Sequence, residues 1–158
     1  MIHARSSKQC AMRWQRRLII SNKAAEPVGA YPHATQVGPF LFVSGIGPRR
    51  RHQSTIPGVE LDPHGKIISY DIEVQTHAVF ENLHHILKAA GYRMNDIVDV
   101  TVFLTNMQAD FHSFNRIYRE YLGEARPSRT TVEVGALPTP IAVELKIIAW
   151  KPTDFKGE

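Results

Sequence analysis

DIEVQTHAVFENLHHILKAAGYRMNDIVDVTVFLT, residues 71–105, changes its apolar period once, and that change decides the fold class. Up to Ala90, the positions Ile72, Gln75, Val79, Leu83, Ile86 and Ala90 recur at helical spacing, and Gly91 is placed as a C-terminal cap. From Asp96 the stretch DIVDVTVFLT is β-branched and alternates, which suits a strand. An amphipathic helix running into a strand is part of a βαβ arrangement, so the chain is read as α/β or α+β.

Working toward the C-terminus, Asp110 is a candidate N-cap for a second helix whose stripe is Phe111, Phe114, Ile117, Tyr118 and Tyr121, with Gly123 at its end. Two further strands follow, RTTVEVGA and AVELKIIAW, separated by LPTP, where the prolines forbid continuous ladder pairing. Toward the N-terminus, RRLIISN and FLFVSGIG (Phe40 to Gly47) read as strands. EPVGAYPHATQVG between them is turn chemistry, and PRRRHQSTIPGVELDPHG after them reads as a surface loop. The order ββαβαββ predicts a single mixed sheet with both helices on one face, because each right-handed crossover lays its helix on the same side.

The opposite face then needs a cover. In the last strand Val143, Leu145, Ile147 and Ala149 point one way, while Ala142, Glu144, Lys146, Ile148 and Trp150 point the other. A face mixing charges with Ile148 and Trp150 suits a partner subunit better than water, so an oligomer is expected.

Composition narrows the function classes. The chain has 158 residues, a formal charge of +4 and 43% hydrophobic residues, the profile of one globular domain. No window offers the roughly eighteen apolar residues of a membrane-spanning helix. The basic excess sits before the first acid, Glu26, in Arg5, Lys8, Arg13, Arg16, Arg17 and Lys23, which leaves the remainder close to neutral and disfavours a nucleic-acid partner. Residues 1–15 are read as a loose basic arm, 16–152 as the domain and 153–158 as a tail. The arm has the composition of an organelle transit peptide as well as that of a frayed start. Cytoplasmic location is the expectation, with organelle targeting as the other reading. The single cysteine, Cys10, forms no internal disulfide.

Candidate chemistry is concentrated in the last two strands. Arg129 and Glu144 are fifteen positions apart, and pairing of these strands as neighbours would turn both toward one pocket. Arginine holds a carboxylate through a planar fork, and a glutamate beside it accepts and returns protons. A cross-strand salt bridge is the other reading of the same pattern. His77, His84 and His85 lack the ligand set of a helical metal site, and neither a phosphate loop nor a dinucleotide fingerprint occurs, so no metal and no cofactor are expected.

The segments VGAYPHA, FLFVSGIG, QTHAVFENLHHILKAAGYRMNDIVDVTVFLTNM, FNRIYREY and RPSRTTVEV…LP…AVELKIIA resemble, in order, those of the reactive intermediate deaminase (Rid, YjgF-like) family over roughly Arg17 to Pro152. The resemblance implies a chorismate-mutase-like domain, a homotrimer with pockets between subunits, and hydrolysis of amino-acid-derived enamines or imines. It implies Arg129 as the carboxylate anchor and Glu144 as the water-activating residue. Tyr31, Ser44, Gly45 and Asn115 match pocket positions, and Tyr118 matches a position that serves core or pocket. Two positions depart from the family pattern: Thr131 stands where a cysteine is usual, and Lys146 where an acid is common. Thr131 keeps a hydroxyl for the ligand but supplies no thiolate.

Within the family the chain looks most like the 2-aminomuconate deaminases. A dicarboxylate substrate would need a second cationic clamp, for which Arg49, Arg50 and Arg51 are candidates; as a charge run they read equally as solvated loop. The rival readings are a broad-range 2-aminoacrylate-type deaminase and a non-catalytic trimer that binds small acids and regulates a partner.

Overall fold

The computed structural model describes residues 15–152, so the tail and all of the predicted arm except Gln15 lie outside the described residues. Eight strands and two α-helices follow one another as β1 (Arg16–Ile19), β2 (Ala34–Val37), β3 (Phe40–Ile46), β4 (Val59–Leu61), β5 (Ile67–Tyr70), α1 (Ile72–Ala90), β6 (Ile97–Leu104), α2 (Met107–Leu122), β7 (Ser128–Glu133) and β8 (Val143–Trp150). Six of the strands form one mixed sheet in the order β1-β2-β3-β8-β6-β7, in which only β6 and β7 run parallel. β4 and β5 pair as a separate hairpin.

The helix α1 forms where its period predicts. Asp71 caps it, accepting from the backbone N–H groups of Glu73 and Val74, and Gly91 closes it at φ 77, a left-handed turn that glycine adopts without a Cβ clash. All six positions of the predicted stripe are buried. Ile72, Val79, Leu83, Ile86 and Ala90 pack with Leu41, Val43, Val100, Val102, Val143, Leu145 and Ile147 into one core between helices and sheet. That core occupies a single face, since Val43, Ile147 and Val100 lie side by side across three strands.

Four expectations are corrected. Ala34–Val37, read as turn chemistry, is a sheet strand, because pairing with β1 and β3 on both sides outweighs the nearby Pro32 and Gly38. The predicted loop after β3 contains β4, paired to β5 across a tight Asp62–Gly65 turn. Asp110 is not the cap of α2: Asn106 accepts from the Ala109 N–H, and Asp110 sits buried inside the helix, where its carboxylate accepts the Tyr70 hydroxyl at 2.8 Å. Ala142 is fully buried rather than facing outward, its N–H donating to the Gln75 side chain.

Among the described residues nothing covers the sheet face away from the helices. Leu18, Thr35, Phe42 and Ile148 form one row across it, and Leu18 and Phe42 are 53% and 40% exposed. Trp150 and Val132 extend the apolar surface along the same side.

Candidate active site

The sheet order decides how the two candidate residues relate. β8 is inserted between β3 and β6, so β7 and β8 are not neighbours, and the expected pairing of Arg129 with Glu144 does not occur. Arg129 pairs with Val100, whose other neighbour is Ile147, so the arginine lies on the helix-covered face. Glu144 pairs with Phe103 on the open face. Two strand spacings across and three residues along separate them by roughly 14 Å at Cα, on opposite faces. They line two separate clefts.

The first cleft is built around Glu144. Between Val43 and Ile46, β3 carries one more residue than the facing stretch of β8, a bulge that places Ser44 and Gly45 beside Glu144. The Ser44 hydroxyl donates to the Pro32 carbonyl at 2.7 Å and its N–H to the His33 carbonyl at 2.9 Å, fixing the Tyr31 loop to the bulge. Tyr31, Ser44, Gly45, Arg49 and Glu144 all line one cleft of about 330 Å³. Among the described residues no hydrogen bond or ion pair holds the Glu144 carboxylate, and burial raises its pKa above the ordinary carboxylate value. A carboxylate so placed is poised to exchange protons with a ligand.

Gly45 is there to make room. A Cβ on it would lie 2.4 Å from Glu144 Oε1 and 2.8 Å from its Cδ. Gly45→Ala should therefore swing the carboxylate out of the cleft and lower any activity that depends on it by about tenfold or more, while the melting temperature moves by only a few degrees. Wild-type turnover in the folded variant would contradict this.

Three positioning residues escaped sequence reading. Asn82 donates to the carbonyls of Gly47 and Arg49 at 2.9 and 2.7 Å, and accepts from the Ala25 N–H, so one side chain of α1 ties both loops of the cleft. Gln75, counted in the apolar stripe, accepts the Ala142 N–H just ahead of β8. His33 accepts from the Ser21 N–H at Nδ1, and its Nε2 lies 2.9 Å from the Ala25 carbonyl, which fixes the proton on Nε2. For Asn82 and Gln75 the sequence signal was a polar residue at a helical position on the buried face, whereas His33, in the loop before β2, gave none.

The second cleft surrounds Arg129. Its guanidinium lies 4.6 Å from the centre of the Tyr118 ring and donates to Asn115 Oδ1 at 2.8 Å, so α2 holds the fork by stacking and by one hydrogen bond. Tyr118 is thus both core and wall of this cleft, which measures about 270 Å³. Thr131, two residues along β7, has a buried hydroxyl without a hydrogen-bond partner among the described residues, as does Tyr118. Arg50 and Arg51 line neither cleft. They line a separate recess and pair with Glu81 and Glu26 at 3.0 and 2.8 Å. Of that run, Arg49 alone reaches the Glu144 cleft.

A mixed sheet with two helices on one face, a bulged third strand cradling a glutamate and an arginine on the edge strand together define a class of small α+β proteins. The comparisons place the chain in it. The Endoribonuclease L-PSP family pattern matches residues 21–151. A RutC family protein of Pyrococcus horikoshii is 40% identical over 137 residues, 86% of this chain and 98% of that protein. The 2-iminobutanoate/2-iminopropanoate deaminase of Mus musculus is 34% identical over 135 residues, 85% of this chain and 90% of the mouse protein. The crystal structure of E. coli TdcF with bound serine superposes with a TM-score of 0.73 at 28% identity, covering 86% of this chain and 99% of that one. The chain belongs to the Endoribonuclease L-PSP family, whose Rid/YjgF-like members the sequence resembles.

Proposed function

We propose that the chain is a hydrolytic enamine/imine deaminase, working as a homotrimer whose active sites join the Glu144 cleft of one subunit to the Arg129 cleft of the next, with 2-aminomuconate as substrate. The observation that carries this reading is the half-buried, unpartnered Glu144 carboxylate against Gly45. The names of the mouse relative and of an Arabidopsis thaliana relative, Reactive Intermediate Deaminase A, support the reaction class. The uncovered apolar row supports assembly, because burying it against a second copy removes it from water. In that assembly an opposite-face arrangement of the two residues becomes useful: each subunit contributes one half of two different sites.

The chemistry follows from the groups. Arg129 binds the substrate carboxylate through two N–H donors. The enamine tautomerises to the protonated imine, Glu144 takes a proton from water as the water oxygen bonds to the imine carbon, and Glu144 returns that proton to the carbinolamine nitrogen; the C–N bond then breaks as the hydroxyl oxygen forms the carbonyl and releases its own proton to solvent. Ammonia and a 2-oxo acid leave. The test is ammonia release from 2-aminomuconate and from 2-aminoacrylate generated in situ, with light scattering for the assembly. Turnover of both with a trimer mass is expected. No rate above buffer with either substrate would refute the reaction, and a fully active monomer would refute the shared site.

A further inference from the structure

We propose that Arg119 and Arg126 form the seat for a second carboxylate beside Arg129, and so select dicarboxylate ligands; the assignment rests on Arg129 being the carboxylate anchor. The three arginines line the same cleft, together with Asn115 and Tyr118, and no acid lines it. Among the described residues none of the three takes part in a salt bridge, whereas Arg50, Arg51 and Arg116 are each paired with a glutamate. Three arginines lining one cleft of about 270 Å³ give it an excess of positive charge, which favours an anion there. The Tyr118 hydroxyl in the wall has no hydrogen-bond partner among the described residues.

The backbone points the same way. Arg126 holds φ 46, a left-handed conformation that costs a side-chain-bearing residue energy, and Pro127 restricts it further. Its guanidinium makes only a long, 3.4 Å contact to the Gly123 carbonyl. A strained residue whose charged group is otherwise unengaged fits a ligand role better than a structural one. The arginines first considered for the second clamp are less free: Arg50 and Arg51 are ion-paired outside both clefts, and Arg49 donates to the Glu26 carbonyl.

The probes are hexa-2,4-dienedioate and hexa-2,4-dienoate, which share a carbon chain and differ by one carboxylate, titrated calorimetrically into the intact protein. Wild type should bind the diacid at least tenfold more tightly, the scale of one charge-assisted pair. Arg119→Ala with Arg126→Gly should abolish that preference and leave the monoacid affinity unchanged. Glycine suits φ 46, so this variant keeps the fold. Equal wild-type affinities, no binding of either probe, an unaltered preference in the double variant, or loss of the preference in Arg49→Ala but not in the double variant would each overturn the assignment. Ammonia release is measured separately, so a catalytically inactive protein that still prefers the diacid would refute the deaminase reading and leave this seat standing.

Discussion

Glu144→Gln should lower kcat by about 10²-fold or more, because the amide keeps the shape of the carboxylate and loses its capacity to take and return a proton. The variant should be at least as stable as the parent at neutral pH. The sign follows from burial: Glu144 titrates above the ordinary carboxylate value in the folded protein, so the folded state favours its protonated form. That contribution to stability is fully present below the ordinary value and is lost as pH rises through the raised one. Replacing a half-buried charge with a neutral amide removes this cost. The same shift sets the acidic limb of kcat/KM, which should lie above the ordinary glutamate pKa and vanish in the Gln variant. A variant that melts well below the parent while keeping its kcat would mean that Glu144 is structural.

Arg129→Lys should act on binding first. Lysine keeps the charge but loses the planar fork, the stacking over Tyr118 and the defined hydrogen bond to Asn115. A loss of about 1–3 kcal/mol, the scale of a hydrogen bond to a charged group, raises KM by roughly 5- to 150-fold. With saturating enamine, kcat should stay within a few-fold of the parent, which separates this variant from Glu144→Gln. Equal losses in kcat at unchanged KM would assign Arg129 to the chemical step instead.

Local signals carried much of the fold. The period of α1, its Asp71 cap and its Gly91 stop depend on residues a few positions apart, so they can be read without tertiary structure. Strand β2 could not be read that way, since Ala34–Val37 owes its conformation to partners on both sides rather than to its own composition. The insertion of β8 between β3 and β6 is also non-local, and alternation alone cannot say which strand lies beside which. This is why Arg129 and Glu144 were each recognisable as candidates while their separation was not. Asp110 shows a related limit: a helix-starting aspartate looks the same whether it caps the backbone or accepts a buried tyrosine hydroxyl. The arginine cleft was hidden for the same reason, because Arg119 and Arg126 meet Arg129 only when the α2 C-terminus packs beside β7.

The central claim, a site shared between subunits, is tested most directly by mixing two impaired variants and assaying at substrate well below the parent KM, where loss of the Arg129 anchor lowers the rate as loss of Glu144 does. Glu144→Gln and Arg129→Ala are unfolded together in equal amounts, refolded, and assayed for ammonia release against each variant refolded alone. If each site takes Glu144 from one subunit and Arg129 from its neighbour, about one quarter of the sites in randomly assorted trimers carry both native residues, and activity should return to about a quarter of the parent value. If both residues served a site within one chain, no subunit in the mixture would hold an intact pair, and the mixture would stay as inactive as its components.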